Sequence, residues 1–473
     1  MYMSDDDSLP STADVLRRRQ DLVLRRFVEG MTIPKISEYL RRHGFEAARE
    51  TPYQDIARAT GERMLHYSPP PGEELVKRLL ARFSTEEHPL RDVFVPSYGG
   101  RMATISAAAD ACARAIWSIA NKKVEGRAAG YTDRRTGEDV PPYAFPCRYP
   151  SRDGGEPCEG PYAEVAEKVP EKDIDPDPLV IEIRIGFCGG DTMSLACEDL
   201  GAALAQEVEA VEKTLKNTFI EGIRKERPEA RLPEGVVLRR FKIRVHFVFV
   251  NLVSGFDRIP STNPIAFLPK LLNEAMLEPR TKIDIFNAMP FAPADGTVRV
   301  DDAVKAIPSL KAIHDDAKNK GFDVILTSGS SIDDPHNMFE RYFCAEDRSN
   351  RQLVGELIER LTREGVEGDF LWMPLGVDRP FDLLDLWRRV RDEGNTELAA
   401  LLRYQPMTLL SLQQIAEHVA NRRDVFLLLA PCGVCNLEKS RIARAALGQR
   451  KQIVTHLYVD RDTAECLLAG QPA

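Results

Sequence analysis

A glycine-rich turn joins an apolar run to a helical pattern near the middle of the chain, and such a turn can bind an anion. Residues 179–185 predict a buried strand, Gly186-Phe-Cys-Gly189-Gly190-Asp191-Thr192 forms the turn, and residues 193–216 predict a helix. Glycines let the backbone approach a ligand, and the free N–H groups and positive dipole end of the helix attract negative charge. Thr192 adds a hydroxyl donor. We therefore predict an anion site here, with phosphate as its natural occupant.

The kind of phosphate compound follows from what the turn lacks. Its glycines do not have the spacing of a dinucleotide fingerprint, and no Gly-Lys-Ser/Thr sequence follows as in a P-loop. A small phosphorylated ligand therefore fits better than a nucleotide. Because many glycine turns only permit tight packing, a purely structural role stays open at this point.

A second turn has the same character. Thr327-Ser-Gly329-Ser330-Ser331 follows a predicted strand over 324–327 and is rich in hydroxyl groups. Ligands of open α/β sheets bind where strands end, so this turn predicts a pocket wall, although a solvated turn is the alternative. Asp369, at the start of a predicted strand over 370–373, is interpreted as a sugar-hydroxyl acceptor or a loop cap. Lys439 lies at a helix start, where a cation opposes the dipole but suits a bound phosphate.

The sequence Cys432-Gly-Val-Cys435 invites a zinc or redox interpretation. One cysteine pair cannot fill a tetrahedral zinc site, and the spacing of Cys147 and Cys158, which could complete it, is not a standard one. Buried free thiols are the favoured interpretation, and we predict no metal and no cofactor. The histidines are dispersed and form no recognisable catalytic triad, so a non-enzymatic protein is expected.

The N-terminal segment, residues 14–91, shows four helical patterns and predicts a winged helix-turn-helix. Residues 36–40 would form the supporting helix and residues 51–66 the recognition helix, although the link between them is longer than a compact turn. A helical subdomain without a DNA role is the alternative. The side chains expected to contact bases or phosphates are those of Lys35, Arg41, Arg42, Thr51, Tyr53, Gln54, Arg58 and Arg63.

Composition and charge agree with a globular protein that has a DNA-binding head. The 473 residues are 43% hydrophobic and 29% charged, and the nine scattered cysteines favour reduced thiols in a cytoplasm. Residues 17–91 carry 15 basic and 11 acidic side chains, an excess of +4, while the whole chain carries −9 and the remainder therefore −13. No long apolar run predicts a membrane span, and the N-terminus lacks the features of a secretory signal.

From residue 92 onward the chain alternates strands and helices, which predicts an α/β domain with a mainly parallel, Rossmann-like sheet. We assign residues 92–473 to this domain and interpret residues 123–178, which are rich in Gly, Pro and charge, as a loop insertion. Predicted strands are 92–96, 179–185, 243–252, 324–327, 370–373, 425–429 and 453–459. Predicted helices are 102–120, 193–216, 265–277, 304–319, 352–363, 409–421 and 440–447.

Several of these segments, in this order, resemble the SorC-type sugar-binding transcriptional regulators of bacteria. The most specific part is the C-terminus, where Val425-Phe-Leu-Leu-Leu-Ala-Pro-Cys-Gly433 precedes a helix begun by Lys439 and a closing strand with Asp460 and Thr463-Ala464. The 186–192 turn, the 327–331 turn, the Gly368-Asp369 step and the 51–71 segment are also similar to their counterparts in that family. The insertion at 123–178, the material around 254–263 and the acidic Asp191 depart from the family pattern.

The resemblance implies a winged helix-turn-helix followed by an effector domain of the ribose-5-phosphate-isomerase and CoA-transferase type. It implies that a phosphorylated sugar changes the affinity of a homodimer or homotetramer for operator DNA. Gly189, Gly190, Asp191 and Thr192 would hold the phosphate. The pocket would also include Gly186, Gly329, Ser330, Ser331, Asp369 and Lys439. A sugar-phosphate isomerase-like enzyme, or a divergent sensor of another ligand on the same fold, remains as an alternative.

Overall fold

The computed structural model describes residues 19, 22–23, 33–45, 51–52, 54–56, 72–96, 101–132, 139–140, 146–149, 158–161, 175–226, 240–253, 263–285, 307–337, 339–341, 350–403 and 408–470. The contacts divide the chain into two compact units, Met1–Ser68 and Pro69–Ala473. This boundary differs from the one expected after residue 91. Among the described residues, no helix is both long enough and apolar enough to cross a membrane.

The N-terminal unit contains helix α1 (Ile33–Arg42). Ile36 and Leu40, one turn apart on its inner face, are fully buried with Val23 and form a small core. Asp55 is also buried and accepts two hydrogen bonds from the Arg19 guanidinium, at 2.8 and 2.9 Å. This paired contact joins the segment around residue 19 to the segment around residue 55.

The larger unit alternates helices and strands, as the sequence predicts. Its described helices are α2 (Glu73–Phe83), α3 (Arg101–Ala129), α4 (Asp191–Glu226), α5 (Pro264–Phe267), α6 (Pro308–Lys320), α7 (Arg351–Arg363), α8 (Leu383–Asp392), α9 (Thr396–Leu402), α10 (Leu412–Ala420), α11 (Ser440–Leu447) and α12 (Arg461–Ala469). Its described strands are β1 (Asp92–Phe94), β2 (Tyr131–Thr132), β3 (Asp139–Val140), β4 (Pro146–Tyr149), β5 (Cys158–Pro161), β6 (Asp175–Pro176), β7 (Leu179–Phe187), β8 (Ile243–Asn251), β9 (Thr281–Asp284), β10 (Val324–Thr327), β11 (Gly329–Ser331), β12 (Val366–Phe370), β13 (Met373–Gly376), β14 (Asp424–Leu429) and β15 (His456–Val459).

Seven strands form one sheet in the order β1-β15-β14-β10-β7-β8-β9, and every neighbouring pair is parallel. The α/β fold with a mainly parallel sheet is therefore confirmed. Its central strands are apolar and buried because helices cover them, as a parallel sheet requires. Aromatic side chains fill the core, among them Phe187, Phe247, Phe249, Phe426 and Tyr458.

Side-chain caps define where several helices of this unit begin. The caps are Asn263 for α5, Asp382 for α8, Asn395 for α9, Ser411 for α10 and Asp460 for α12. Each accepts a hydrogen bond from a backbone N–H of the first turn, a group that has no partner within the helix.

Three strands form a small antiparallel sheet in the order β11-β12-β13, beside the main sheet. The prediction of a single strand over 370–373 is wrong, because Phe370 ends β12, Met373 begins β13, and the two residues between them form the hairpin turn. Leu371 and Trp372 at its centre have positive φ angles of 52° and 62°. Apolar residues rarely adopt this conformation, so the run looks like a buried strand in sequence.

Two other predicted segments also differ in the structure. Helix α3 continues to Ala129, so the insertion expected from residue 123 begins later, and its described parts form the β2-β3 pair and the β5-β4-β6 sheet. The helix predicted over 265–277 is the short α5 followed by 3₁₀ turns, because Pro269 lacks the N–H that a continuing helix needs. Helix α2 contributes the fully buried Leu79 to the core of the larger unit.

Candidate functional site

A pocket of about 870 Å³, counting its open mouth, lies at the carboxyl ends of β7, β10 and β14. This is the edge at which ligands of open parallel sheets bind. The predicted residues that line the pocket are Gly189, Gly190, Asp191, Thr192, Gly329, Ser330, Asp369 and Lys439. Residues from four separate stretches of sequence are thus brought together.

The first glycine turn leads directly into α4, whose first residue is Asp191. Gly190 has a φ of +111°, which only glycine adopts without strain. Thr192, in the first helical turn, is buried at 6% exposure. The Ser194 N–H donates to the Gly190 carbonyl at 3.0 Å, while the N–H groups before it have no acceptors within the helix. Free N–H groups at a helix start can bind an anion.

The first and second turns are held against each other by Cys188. Its thiol sulfur accepts a hydrogen bond of 3.1 Å from the backbone N–H of Ser328. It also lies 3.5 Å from the Ser328 hydroxyl oxygen. Burial raises the pKa of the Cys188 thiol, so this group stays protonated and serves as a structural link.

The acidic Asp191 is neutralised by a partner that the sequence analysis did not identify. The Arg101 guanidinium donates to the Asp191 carboxylate. Arg101 is the first residue of α3 and follows Gly99-Gly100. In the same way, Asp191 is the first residue of α4 and follows Gly189-Gly190. The Nε atom of Arg101 is buried and has no hydrogen-bond partner among the described residues. The pocket wall at Arg101 therefore carries the ion pair and, beside it, a buried donor without a partner among the described residues.

Asp369 lies at the end of β12 and is 4% exposed. Its carboxylate accepts hydrogen bonds from the Ser330 hydroxyl, the Ser330 N–H at 3.2 Å and the Trp372 N–H at 3.3 Å. Burial raises the pKa of Asp369 to about 6, although these bonds and the nearby Lys439 act in the opposite direction. The group is a buried acceptor that can exchange a proton near neutral pH.

Lys439 is 7% exposed, and its Nζ donates a 3.0 Å hydrogen bond to the carbonyl of Gly329. Burial lowers its pKa, while Asp334 and Asp369 raise it. Its backbone N–H donates to the Thr463 hydroxyl at 3.1 Å, and that hydroxyl donates to the Asp460 carboxylate at 2.6 Å. The Asp460 and Thr463-Ala464 sequence at the C-terminus thereby fixes the main chain at Lys439.

Two predicted pocket residues have other roles. Gly186 lies within β7, and a Cβ there would come within 3.0 Å of the Leu252 side chain, so the glycine permits tight packing. Ser331 is buried at the end of β11 and does not line the pocket. Its hydroxyl has no hydrogen-bond partner among the described residues. Both residues lie in strands next to the predicted turns and are not among the residues that line the pocket.

Several lining residues have no clear signal in the sequence. Arg101, Asp334, His336, Arg341 and Trp372 lie in turns or at helix ends, where no periodicity marks a functional side chain. Ser328 also lines the pocket and belongs to the predicted 327–331 turn. Only the Gly-Gly pair before Arg101 could have identified that residue. The expectation of two buried thiols in the Cys432-Gly-Val-Cys435 loop is correct for Cys432, but Cys435 is exposed.

The candidate DNA-binding residues are partly described. Lys35, Arg41, Arg42 and Gln54 are exposed, and Thr51 is half-buried. Arg42 pairs with Glu38 one turn earlier on α1, and the Arg41 Nε donates to the Ser37 carbonyl at 3.3 Å. Tyr53, Arg58 and Arg63, and the expected wing, lie outside the described residues, as do residues 254–262. Their DNA contacts stay predictions.

Comparisons with known proteins give a distant likeness. No protein-family model matches the chain, and no curated protein matches it in sequence. Among solved structures, it is similar to a probable sor operon regulator from Shigella flexneri, with 12% identity, 84% of this chain and 98% of that chain covered, and a TM-score of 0.42. It is also similar to the full-length sorbitol operon regulator SorC from Klebsiella pneumoniae, with 14% identity, 96% of this chain and 99% of that chain covered, and a TM-score of 0.40. A DeoR family transcriptional regulator from Listeria monocytogenes is similar with 11% identity, 84% of this chain and 98% of that chain covered, and a TM-score of 0.39. The function proposed below rests on the residues of this chain.

Proposed function

We propose that this protein is a DNA-binding transcriptional regulator whose larger unit senses a small phosphorylated sugar. The observation that carries the proposal is the convergence in one pocket of the Lys439 ammonium, the Arg101 guanidinium and the N-terminal turn of α4. A phosphate group suits such a combination, because cations and free N–H groups can act together on its oxygens. In this proposal the protein is not an enzyme.

The same pocket also holds groups that suit a sugar. The buried Asp369 carboxylate and the Ser330 hydroxyl offer acceptors and a donor for sugar hydroxyls. Trp372 also lines the pocket, and an aromatic side chain can pack against a sugar ring. The pocket thus combines cationic groups with a carboxylate, a hydroxyl and an aromatic residue, which suits a compound with a phosphate on a polyhydroxylated carbon frame.

The N-terminal unit is the proposed DNA-binding part. Exposed Lys35 and Arg41 on α1 suit contacts with phosphates, and exposed Gln54 lies in the segment proposed as the recognition helix. We propose that the protein works in the cytoplasm as a homodimer or homotetramer, because a symmetric oligomer presents two such heads to a paired operator. Ligand binding would shift the oligomer between arrangements that differ in DNA affinity.

The test is a gel-shift assay with the DNA upstream of the protein's own coding sequence, with and without a panel of sugar phosphates. Lys35→Ala should weaken DNA binding and reduce the slope of log affinity against log salt by about one. Lys451→Ala is the matched control, since Lys451 is an exposed lysine of the larger unit. Equal loss in the two lysine variants would contradict the assignment of DNA binding to the N-terminal unit.

The sensing role is tested in the same assay by Thr192→Ala. This variant should bind DNA normally but need a higher concentration of sugar phosphate for the same response, because one donor to the phosphate is lost. Thr214→Ala is the control on the same helix, where the Thr214 hydroxyl only donates to the Ala210 carbonyl. A normal response in Thr192→Ala, or a lost response in Thr214→Ala, would count against the proposed phosphate site.

A sugar-phosphate isomerase-like enzyme is the second candidate, and one observation favours it. Burial raises the pKa of Asp369 to about 6 and lowers that of Lys439, so the pocket holds a carboxyl group that can exchange a proton near neutral pH beside a lysine with a perturbed pKa. Incubation of the protein with sugar phosphates, followed by NMR detection of isomers, distinguishes the two functions. Product formed by the wild type and not by Asp369→Asn would support the enzyme.

A further inference from the structure

The Cys432-Gly-Val-Cys435 loop brings two thiols and a carboxylate together at the wall of the pocket. One potential ligand atom each from Asp334, Cys432 and Cys435 lies within 4.8 Å of the other two. The Cys435 sulfur is 3.5 Å from Asp334 Oδ1. Ligands that are bonded to zinc at about 2.3 Å (sulfur) and 2.0–2.2 Å (oxygen) in a tetrahedron lie roughly 3.5–3.8 Å apart. The observed separation of sulfur and oxygen therefore fits a shared metal ion.

The main chain of this loop is shaped to present both thiols on one side. Asn436 adopts a positive φ of 58°, its N–H donates to the Cys432 carbonyl at 3.0 Å, and the Cys432 N–H donates to the Leu437 carbonyl at 3.1 Å.

The charges around the cluster balance with a bound divalent ion. Two thiolates and one carboxylate carry three negative charges, so a divalent cation leaves a single negative charge. The buried Lys439 ammonium, which interacts electrostatically with both Asp334 and Cys432, offsets that charge. The cationic Lys439 therefore does not exclude a metal here.

We propose that Asp334, Cys432 and Cys435 form a three-ligand site for a thiophilic divalent cation, with Zn²⁺ as the fitting ion. Two thiolates select zinc over calcium or magnesium, which take oxygen ligands. Asp334 and Cys432 both line the pocket, so an ion held by these residues would lie at the pocket wall. A water molecule or an oxygen of the effector would complete the tetrahedron.

The sequence alone did not predict this site, because it offers only the cysteine pair. The third ligand comes from a residue about one hundred positions earlier in the chain, in the turn after β11. The inference does not depend on the proposed regulatory function, since metal binding is measured without DNA or sugar phosphate.

The test uses the full-length protein, reduced and stripped with a chelator, and titrated with Co²⁺ as a spectroscopic probe. We expect one equivalent of Co²⁺ to produce thiolate-to-cobalt charge-transfer absorption and the visible bands of tetrahedral cobalt, and Zn²⁺ to remove both. Cys435→Ser should weaken metal binding by at least about 100-fold, because a coordinating thiolate is lost. Asp334→Asn should weaken binding while keeping the thiolate absorption.

Two controls make the assignment specific. Cys466→Ser changes a half-buried cysteine on α12 and should leave the titration unchanged. A Cys147→Ser/Cys158→Ser double variant should also bind one equivalent. The proposal is overturned if the wild type shows no thiolate absorption, if Cys435→Ser keeps it, or if the double variant loses it. It is also overturned if Cys432 and Cys435 form a disulfide that persists under the reducing conditions of the titration.

Discussion

Arg101 and Asp191 are ninety positions apart in the chain, yet they form an ion pair between the first residues of the two long helices α3 and α4. The pair has a direct consequence for ligand charge. With Arg101 in place, the only acidic residue of the first glycine turn is neutralised, and the N-terminus of α4 can accept an anion.

We predict opposite effects from the two halves of this ion pair. Arg101→Ala leaves Asp191 as an unpaired negative charge beside the anion site, so the affinity for sugar phosphate should fall by roughly 10- to 100-fold. Asp191→Asn releases the guanidinium for the ligand, so the affinity should rise. Isothermal titration calorimetry measures both.

The stability of the two variants serves as the control. Arg101 is 21% and Asp191 is 38% exposed, so loss of the pair should change the free energy of unfolding by less than about 1 kcal/mol. If both variants bind sugar phosphate more weakly by the same factor, the pair serves only to join the helices and the electrostatic interpretation fails.

Asp369 should make the stability depend on pH in a definite direction. Burial raises its pKa from the usual 3.8 to about 6, so between these values the folded protein holds a proton that the unfolded chain has released. Its contribution is therefore most favourable below about pH 4 and is lost as the pH rises through 6. For this difference between the two pKa values, the contribution of Asp369 to the free energy of unfolding changes by roughly 3 kcal/mol in total.

The measurement compares wild type with Asp369→Asn, which cannot titrate at this position. Denaturant unfolding at pH 4, 5, 6 and 7 gives the difference in free energy of unfolding between the two proteins. We expect the wild type to lose stability relative to the variant as the pH rises. A difference that stays constant with pH would show that Asp369 has an ordinary pKa.

Gly368 should be intolerant of any side chain. A Cβ at this position would lie 2.1 Å from the Ser330 carbonyl oxygen, which is main chain and cannot rotate away. Gly368→Ala must therefore separate β11 from β12 and displace both Ser330 and Asp369. We expect a loss of at least about 2 kcal/mol in the free energy of unfolding, together with loss of ligand binding.

Gly355→Ala provides the matched control. Gly355 lies within α7, where a Cβ would meet nothing within 4 Å. Alanine favours the helix over glycine by about 1 kcal/mol, so this variant should be slightly more stable than the wild type. Equal destabilisation of both variants would rule out close approach of the two strands as the cause.

Asp55 should stabilise the N-terminal unit and have no effect on the larger unit. It is 1% exposed and receives two bonds from Arg19, so Asp55→Ala removes a buried pair of charge-assisted hydrogen bonds and should cost roughly 2–3 kcal/mol. Limited proteolysis should show faster cleavage within residues 1–68, and DNA binding should weaken, while sugar-phosphate binding stays unchanged.

Glu38→Ala is the control for that variant. Its ion pair with Arg42 is exposed on both sides, at 55% and 73%, so its loss should cost less than about 0.5 kcal/mol. An equal rate of cleavage in the two variants would contradict the proposed role of Asp55.

The parallel sheet could be predicted because its central strands are apolar and regularly separated by helices. The segments that gave β7, β8, β10, β14 and β15 were found in sequence because burial on both faces requires continuous β-branched and aromatic runs. Strand β9 was missed, because Thr281-Lys-Ile-Asp284 lies at the sheet edge and is only half-buried.

The pocket was predicted in part, and the missing part has a physical explanation. Glycine turns next to strands are local features, so the 189–192 and 329–330 turns could be found without a structure. Arg101, Asp334 and Trp372 reach the pocket only through the tertiary fold. Trp372 was placed in a strand because its apolar character concealed a turn with a positive φ.

The position of β15 between β1 and β14 makes two distant parts of the sequence depend on each other. Strand β1 precedes the other strands of the main sheet in the sequence, but its partner β15 follows all of them. The main chain at Lys439 is likewise held by Thr463 in α12, the helix that follows β15. Removal of β15 and α12 would therefore detach β1 from the sheet and leave the Lys439 N–H without its acceptor. The segment from β15 to α12 thus acts as a clasp for both the sheet edge and the pocket wall.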